Sequence, residues 1–281
     1  MIKTKIKSFA KLNLALNITG KTSTLHKIET IVAFASLHDE IFINKIKSKS
    51  HNIKFFGRFS RNISKNNTVS KLLKILEEKK LLKDYKFKIK INKKIPNKAG
   101  LGGGSMNAAN ILKYFVKKKI IKTNKKELFK ISSLIGSDVI LGLNSTYSIL
   151  NPNNNIRYFT NCKKFYMLII KPSFGCSTKA IYSKVNKFNK PKFNNPNKKM
   201  FNLDYLKKMN NSLEPIVLSK YNKLRTIKLF LEKLSNPVFV RLTGSGSAMV
   251  AYFRSKQRCD HAQKQFKRKY RNYWCIASKT I

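Results

Sequence analysis

The chain has 281 residues, 42% of them hydrophobic, enough for real cores in one large or two medium domains. Its 60 Lys and Arg against 12 Asp and Glu give a net charge of +48, which first suggests a nucleic-acid binder. The basic residues are nonetheless spread over the full length and overwhelmingly Lys, beside abundant Asn, Ile and Phe and scarce Gly and Pro, the signature of an AT-rich genome; with no RNP-like aromatic pattern or Cys/His finger spacing, a basic nucleic-acid-binding protein stays only as the rival reading, and the charge should in any case favour anionic ligands.

In chain order, strands come first. Leu12, Leu14, Leu16 and Ile18 alternate with Asn13, Ala15 and Asn17 up to Gly20, and residues 26–37 and 39–46 read as two more strands. Lys11, at the head of that alternation, is either a solvated strand lysine or the partner of an acid or a phosphate. Asn67 or Thr68 can cap a helix whose inner face is Val69, Leu72, Leu73 and Leu76. Phe87, Ile89 and Ile91 then alternate with Lys86, Lys88 and Lys90, a half-buried strand that ends at Pro96.

The next stretch, KAGLGGGSMNAA at 98–109, places four of the chain's 11 glycines within five positions: Gly100, Gly102, Gly103 and Gly104. Ala108, Ile111, Leu112, Phe115 and Val116 follow at helical spacing. Strand, glycine loop and helix make a phosphate cradle, because glycine lets backbone N–H groups approach a ligand and the helix N-terminus adds open donors. A Walker A loop would need Lys and then Ser or Thr after its last glycine, where this chain has Ser105, Met106 and Asn107. The dinucleotide fingerprint expects an apolar parallel strand before it and an acid about 20 residues later, and neither is present. The plain alternative is a turn leading into a helix, which needs one cap residue rather than a run of glycines.

Asn124 with Glu127 resembles a capping box for a helix with Leu128, Ile131, Leu134 and Ile135 inside, stopped by Gly136. Asp138 follows in LIGSDVILGL. Its ordinary role is N-cap of a short helix from Val139; a buried aspartate beside a phosphate cradle would instead orient or deprotonate a hydroxyl. Residues 151–155, NPNNN, are a sustained run of turn formers, so the expected domains are 1–150 and 151–281. Beyond lie a strand at 165–170, a polar excursion at 186–199 expected to be mobile, helices over 202–234, a strand at 238–242, another at 249–253, a basic helix near 256–270 and a last strand at 273–278. LTGSGSA at 242–248 reads either as a hairpin loop or as a second ligand loop, and two glycine loops suggest a ligand held between the halves. Cys162, Cys176, Cys259 and Cys275 lie far apart without a CxxC pair, so zinc and disulfides are not expected. Lys3, Lys5, Lys7 and Lys11 interrupt any signal-peptide core, and no apolar run reaches 18 residues, so the expected location is cytoplasmic.

Ala10-Lys11-Leu12-Asn13, IPNKAGLGGGSMNAA, Gly136-Ser137-Asp138-Val139, Asn211-Ser212-Leu213-Glu214-Pro215 and RLTGSGSA resemble, in this order and over nearly the whole chain, the motifs of the GHMP kinases. The resemblance implies a two-domain α+β fold, with an S5-domain-2-like ATP-binding domain first and a ferredoxin-like domain second. It implies transfer of the ATP γ-phosphoryl group, with Mg2+, to a hydroxyl of a small alcohol. The best-matching branch phosphorylates the 2-hydroxyl of a cytidine diphosphate-linked methylerythritol of the non-mevalonate isoprenoid route; homoserine and mevalonate are alcohols of sibling branches. Lys11 and Asp138 would be catalytic. Asn67, Lys93, Pro96, Gly100, Leu101, Gly102, Gly103, Gly104, Ser105 and Asn107 would hold ATP. Asn13, His26, Thr178, Tyr182, Gly244, Ser245 and Gly246 would hold the acceptor, with His26 reading the cytosine and Tyr182 stacking on it. No protein metal ligand, nucleic acid or membrane is implied, and a monomer or weak homodimer is expected.

Three departures from that pattern stand out. The segment Ser23-Thr24-Leu25-His26 is one residue short and puts Leu25 where the family has an aromatic. Met106 replaces a serine of the loop. Ser212 replaces an acid in a motif read as structural.

Overall fold

The computed structural model describes residues 4–23 and 25–281. Lys3 of the N-terminal lysine series and Thr24 of the shortened segment lie outside the described residues.

The elements are β1 (Thr4–Lys21), β2 (His26–Ile46), β3 (Asn52–Phe56), α1 (Thr68–Glu78), β4 (Lys86–Asn92), α2 (Gly103–Lys117), α3 (Lys125–Ile135), α4 (Val139–Gly142), β5 (Tyr147–Leu150), β6 (Ile156–Phe159), β7 (Tyr166–Lys171) and α5 (Thr178–Tyr182). They continue with α6 (Leu203–Lys207), α7 (Glu214–Lys220), α8 (Asn222–Glu232), β8 (Phe239–Leu242), β9 (Met249–Phe253), α9 (Lys256–Lys269) and β10 (Trp274–Lys279). Residues 26–37 and 39–46, expected as two strands, form the single β2. The strand runs through His38, where the gap was expected, and the acids beyond it are satisfied: Asp39 is fully buried, and Glu40 pairs with Lys5 at 2.6 Å and Lys94 at 3.1 Å.

Contacts divide the chain into two compact units, each discontinuous in sequence. The first takes the residues up to Lys11, Leu37–Asn97 and Gly102–Ser145. Here β4 pairs antiparallel with β2 from Glu40↔Asn92 to Ile46↔Lys86, and parallel with β3. Phe87, Ile89 and Ile91, the apolar half of the β4 alternation, meet Val69, Leu72, Leu73 and Leu76 of α1 and Ala108, Ile111, Leu112 and Phe115 of α2 in one core. Asn67 caps α1 as its sequence suggests, accepting from the N–H groups of Val69 and Ser70 at 2.9 and 3.1 Å while Ser70 Oγ accepts from Asn67 N. In α3, Asn124 accepts from Glu127 N at 2.8 Å, and Glu127 turns its carboxylate to Lys79 at 3.0 Å instead of closing the box. Leu134, expected inside, is 47% exposed; Ile131 and Ile135 carry the inner face.

The second unit takes Leu12–Ser36, Lys98–Leu101 and Thr146–Ile281. Its antiparallel sheet runs β10-β7-β9-β8, and the order β7, helices, β8, β9, α9, β10 along the chain makes it ferredoxin-like, as expected. Leu168 and Ile170 of β7, Val240 and Leu242 of β8, Ala251 and Phe253 of β9 and the inner faces of α7, α8 and α9 form its core. NPNNN closes the β5–β6 hairpin, with Asn151 Oδ1 accepting from Asn153 N and Asn155 N. Residues 186–199 carry little regular structure yet are tied down rather than loose. Glu29, fully buried, accepts from Lys192 N at 2.7 Å and Phe193 N at 2.9 Å, and Phe193 is 1% exposed. All four cysteines are buried and unbridged; burial pushes the Cys176 thiol up to about 11 and Cys259 up to about 12. Among the described residues no helix is long and apolar enough to cross a membrane.

Candidate active site

In the first unit β1 delivers Lys11 with its side chain 3% exposed, so it is not a solvated strand lysine. Its Nζ donates to Asp138 Oδ2 at 2.9 Å. Asp138 stands where an N-cap of α4 would stand, but its backbone is helical and its side chain makes no capping hydrogen bond. A cap works by accepting an N–H of the first turn, so capping does not explain this aspartate. Nor is it deeply buried: a third of the side chain is exposed, which leaves one flank open to a ligand.

Gly102 precedes α2 at φ 65°, a conformation that suits glycine, and no side chain caps the helix. The first-turn N–H groups are therefore open to an anion. A Cβ on Gly102 would stand 3.3 Å from both Cβ and Cε of Lys11, so the loop lies directly against this lysine. Gly104 is exposed and Gly102, Gly103 and Ser105 are half-buried, and Thr68 Oγ1 donates to the Gly104 carbonyl at 2.7 Å.

Under the loop lies Asp39, fully buried and absent from the sequence-based site. Its Oδ1 accepts from the N–H groups of Lys94 and Ile95, both at 2.8 Å, and its Oδ2 accepts from Asn107 Nδ2 at 2.9 Å and from Lys93 Nζ. Four donors on one carboxylate fix the end of β4 to the first turns of α2. Lys93 and Asn107, expected at ATP, direct these groups to Asp39 and are 3% and 1% exposed. A Cβ on Gly103 would meet Ile95 Cγ2 at 3.1 Å and Lys93 Nζ at 3.2 Å, so the residue is small because of what lies beneath it as well as for any phosphate above. Pro96 is buried beside this junction, and Asn67 is occupied as the cap of α1. Met106 is fully buried, with Sδ 2.9 Å from where a Cβ on Gly142 would be, so it packs inward against α4.

The second unit carries the acceptor candidates and the start of the glycine stretch. The 242–248 segment is the β8–β9 hairpin loop, and the backbone of residues 98–101 lies against it. Ser247 N donates to Lys98 O at 3.3 Å and Ala248 N to Ala99 O at 3.0 Å. A Cβ on Gly100 would be 2.1 Å from Thr243 O, so only glycine fits; Leu101 is buried. Asn211 Nδ2 donates to the carbonyls of Leu242 and Gly244 at 2.9 and 2.8 Å, and Glu214 accepts from Leu242 N at 2.6 Å, which gives the Asn-Ser-Leu-Glu motif its structural task. Thr178 Oγ1 and Ser245 Oγ share a hydrogen bond of 2.8 Å. Asn13 N donates to Thr243 Oγ1 at 3.0 Å and Asn13 Nδ2 to Thr30 Oγ1 at 2.9 Å, while Gly244 and Gly246, at φ 54° and 84°, turn the loop. His26, at the start of β2, has Tyr182 with its ring centroid 5.2 Å away and a buried Nε2 with no hydrogen-bond partner.

The model of the GHMP kinases N terminal domain matches residues 67–150. The chain is 57% identical to a 4-diphosphocytidyl-2-C-methyl-D-erythritol kinase from Pelagibacter ubique over 99% of each chain. It belongs to the GHMP kinase family. As a member of that family it is an ATP-dependent small-molecule kinase. An enzyme of the same name from Clostridium tetani is 31% identical over 99% of this chain and 100% of that one. Among solved structures, a 4-(cytidine 5'-diphospho)-2C-methyl-D-erythritol kinase superposes with a TM-score of 0.78 at 21% identity, covering 99% of each chain. Homoserine kinase from Cytophaga hutchinsonii gives 0.73 at 14%, covering 99% of this chain and 94% of that one, so the two-domain GHMP fold is shared across branches.

Within this kinase, Asp39 and Thr68 escaped the sequence reading for different reasons. Asp39 is an acid between Leu37 and Ile41 of a strand, in a chain with 12 acids, and that scarcity was the available signal. Thr68 looked like one of two cap choices for α1; its bond to Gly104 depends on tertiary structure alone.

Proposed function

We propose that the kinase transfers the γ-phosphoryl group of ATP to the 2-hydroxyl of 4-diphosphocytidyl-2-C-methyl-D-erythritol, and that the residues assigned to the site act in that reaction. The observation that carries the chemistry is the Lys11–Asp138 pair held against Gly102 at the uncapped start of α2. Phosphoryl transfer asks little covalent work of a protein and much positioning and charge stabilisation. The open N–H groups of Gly103, Gly104 and Ser105 would bind the phosphates. Asp138 would orient the acceptor hydroxyl and take its proton, and Lys11 would offset the charge on the moving group. The oxygen donors Ser105 and Asp138 suit a hard cation, and Mg2+ there would supply charge neutralisation on the phosphates. His26 and Tyr182 support a substrate with an aromatic base, as does the name of the 57% identical relative.

The test is a coupled ATPase assay with this cytidine alcohol, homoserine and mevalonate as separate acceptors. Turnover with the cytidine alcohol alone is the expected result. Turnover confined to another alcohol would replace the substrate assignment.

A further inference from the structure

We propose that Phe188 is a second stacking surface for the substrate's base, a specificity-determining contact that rests on the cytidine reading above. Phe188 sits in the irregular stretch after α5, on backbone that is tied at several points. Asn189 N donates to Ile18 O at 2.9 Å and Asn189 Nδ2 to Ser212 Oγ at 3.0 Å. Asn17 Nδ2 donates to Lys190 O at 3.1 Å, and the Glu29 carboxylate takes the N–H groups of Lys192 and Phe193. Phe193, five residues on, is buried as an apolar anchor, whereas Phe188 remains 48% exposed. A tethered backbone thus holds a large aromatic ring about half in water.

What lies beside that ring gives it a use. Its centroid is 6.4 Å from that of His26, and Tyr182 flanks the same imidazole at 5.2 Å, each tilted by 49°. His26 Nε2 is buried and has no hydrogen-bond partner. Burial, with Lys21 nearby, holds this imidazole below its ordinary value, so at neutral pH it has one donor and one acceptor nitrogen. A flat heteroaromatic ring answers both features: its edge satisfies the imidazole nitrogen and its face offers a surface to the flanking aromatics. Leu25, 66% exposed, brings no π face to this end of β2.

The probe is cytidine 5'-diphosphate, titrated calorimetrically into enzyme saturated with a non-hydrolysable ATP analogue. Base–aromatic stacks by alanine substitution imply a loss of roughly 5- to 100-fold in affinity for Phe188→Ala. Phe188→Leu, which keeps apolar bulk without a π face, should weaken binding nearly as much, while Phe188→Tyr should stay within about twofold of wild type because it keeps the ring. The KM for ATP should not move in any of the three. Wild-type affinity in the leucine variant, or a tyrosine variant as weak as the leucine one, would overturn the stacking role while leaving the cytidine reading intact. A wild-type enzyme that ignores cytidine 5'-diphosphate would sink the cytidine reading itself, and this inference with it.

Discussion

Lys11 Nζ lies 2.9 Å from Asp138 Oδ2 across 127 positions of sequence, and Asp138 makes no capping bond that would compete for the role. The substitution Asp138→Asn therefore separates proton acceptance from everything else the residue does. Asparagine keeps the size and an oxygen for Lys11, so the melting temperature and ATP KM should stay near wild type. We expect kcat to fall roughly 10²- to 10⁴-fold, the usual worth of a positioned general base. A kcat close to wild type, with both controls intact, would remove Asp138 from proton transfer.

The contact between Gly102 and Lys11 makes the loop and the Lys11–Asp138 pair one object. In Gly102→Ala the new Cβ meets Lys11 at 3.3 Å, and a left-handed backbone costs an L-residue about 1–2 kcal/mol. The variant should lose that much stability and, through displacement of the lysine, about 10- to 100-fold in kcat. Denaturant unfolding and steady-state kinetics read the two separately; a stability loss with full kcat would show that Lys11 tolerates the intrusion.

Asp39 and Lys93 form a buried pair, so removing one charge should cost more than removing both. Asp39→Asn leaves an ammonium uncompensated in the interior, for which about 3–5 kcal/mol is typical. Adding Lys93→Met should return part of the loss. A double variant less stable than the single would mean that Lys93 draws its support from elsewhere.

His51 sets a pH response. Its Nδ1 accepts the N–H of Phe87 at 3.0 Å, with Glu77 Oε1 3.1 Å from Nε2. Burial holds the imidazole below its ordinary value; Glu77 opposes that and Lys86 adds to it. Below about pH 6.5 the unfolded chain then binds a proton that the folded chain refuses. The stabilisation is complete above that value and drains away as pH falls toward the folded one. Melting temperature followed from pH 7.5 to 5.5 should decline, and less steeply in His51→Gln; parallel curves would acquit His51.

How much of this was legible in the sequence depended on range. Alternation in Phe87–Ile91, the Asn67 cap and the start of a helix after the glycine run report on neighbours a few residues away, and these elements read correctly. The unbroken β2 did not: the gap expected at His38 is bridged, and the acids just beyond it, Asp39 and Glu40, find their partners only in Lys93, Lys5 and Lys94 on other segments. The stretch at 186–199 looked mobile because its tether, Glu29, is 163 positions upstream of Lys192. Met106 looked like a hydroxyl missing from the loop, whereas its side chain belongs to the packing between α2 and α4.

The four donors on Asp39 bear on how portable the glycine loop is. A chimera that moves residues 93–107 into another scaffold carries the glycines, Lys93 and Asn107, but not the acid, which lies 56 positions upstream of Ile95 on a different strand. In the new host the transplanted lysine would be buried without a counter-charge and two backbone N–H groups would lose their acceptor. The shape of the glycine loop is therefore a property of two distant segments acting as a mortise and tenon, and only a graft that brings the β2 segment around residue 39 along with the loop would transfer it.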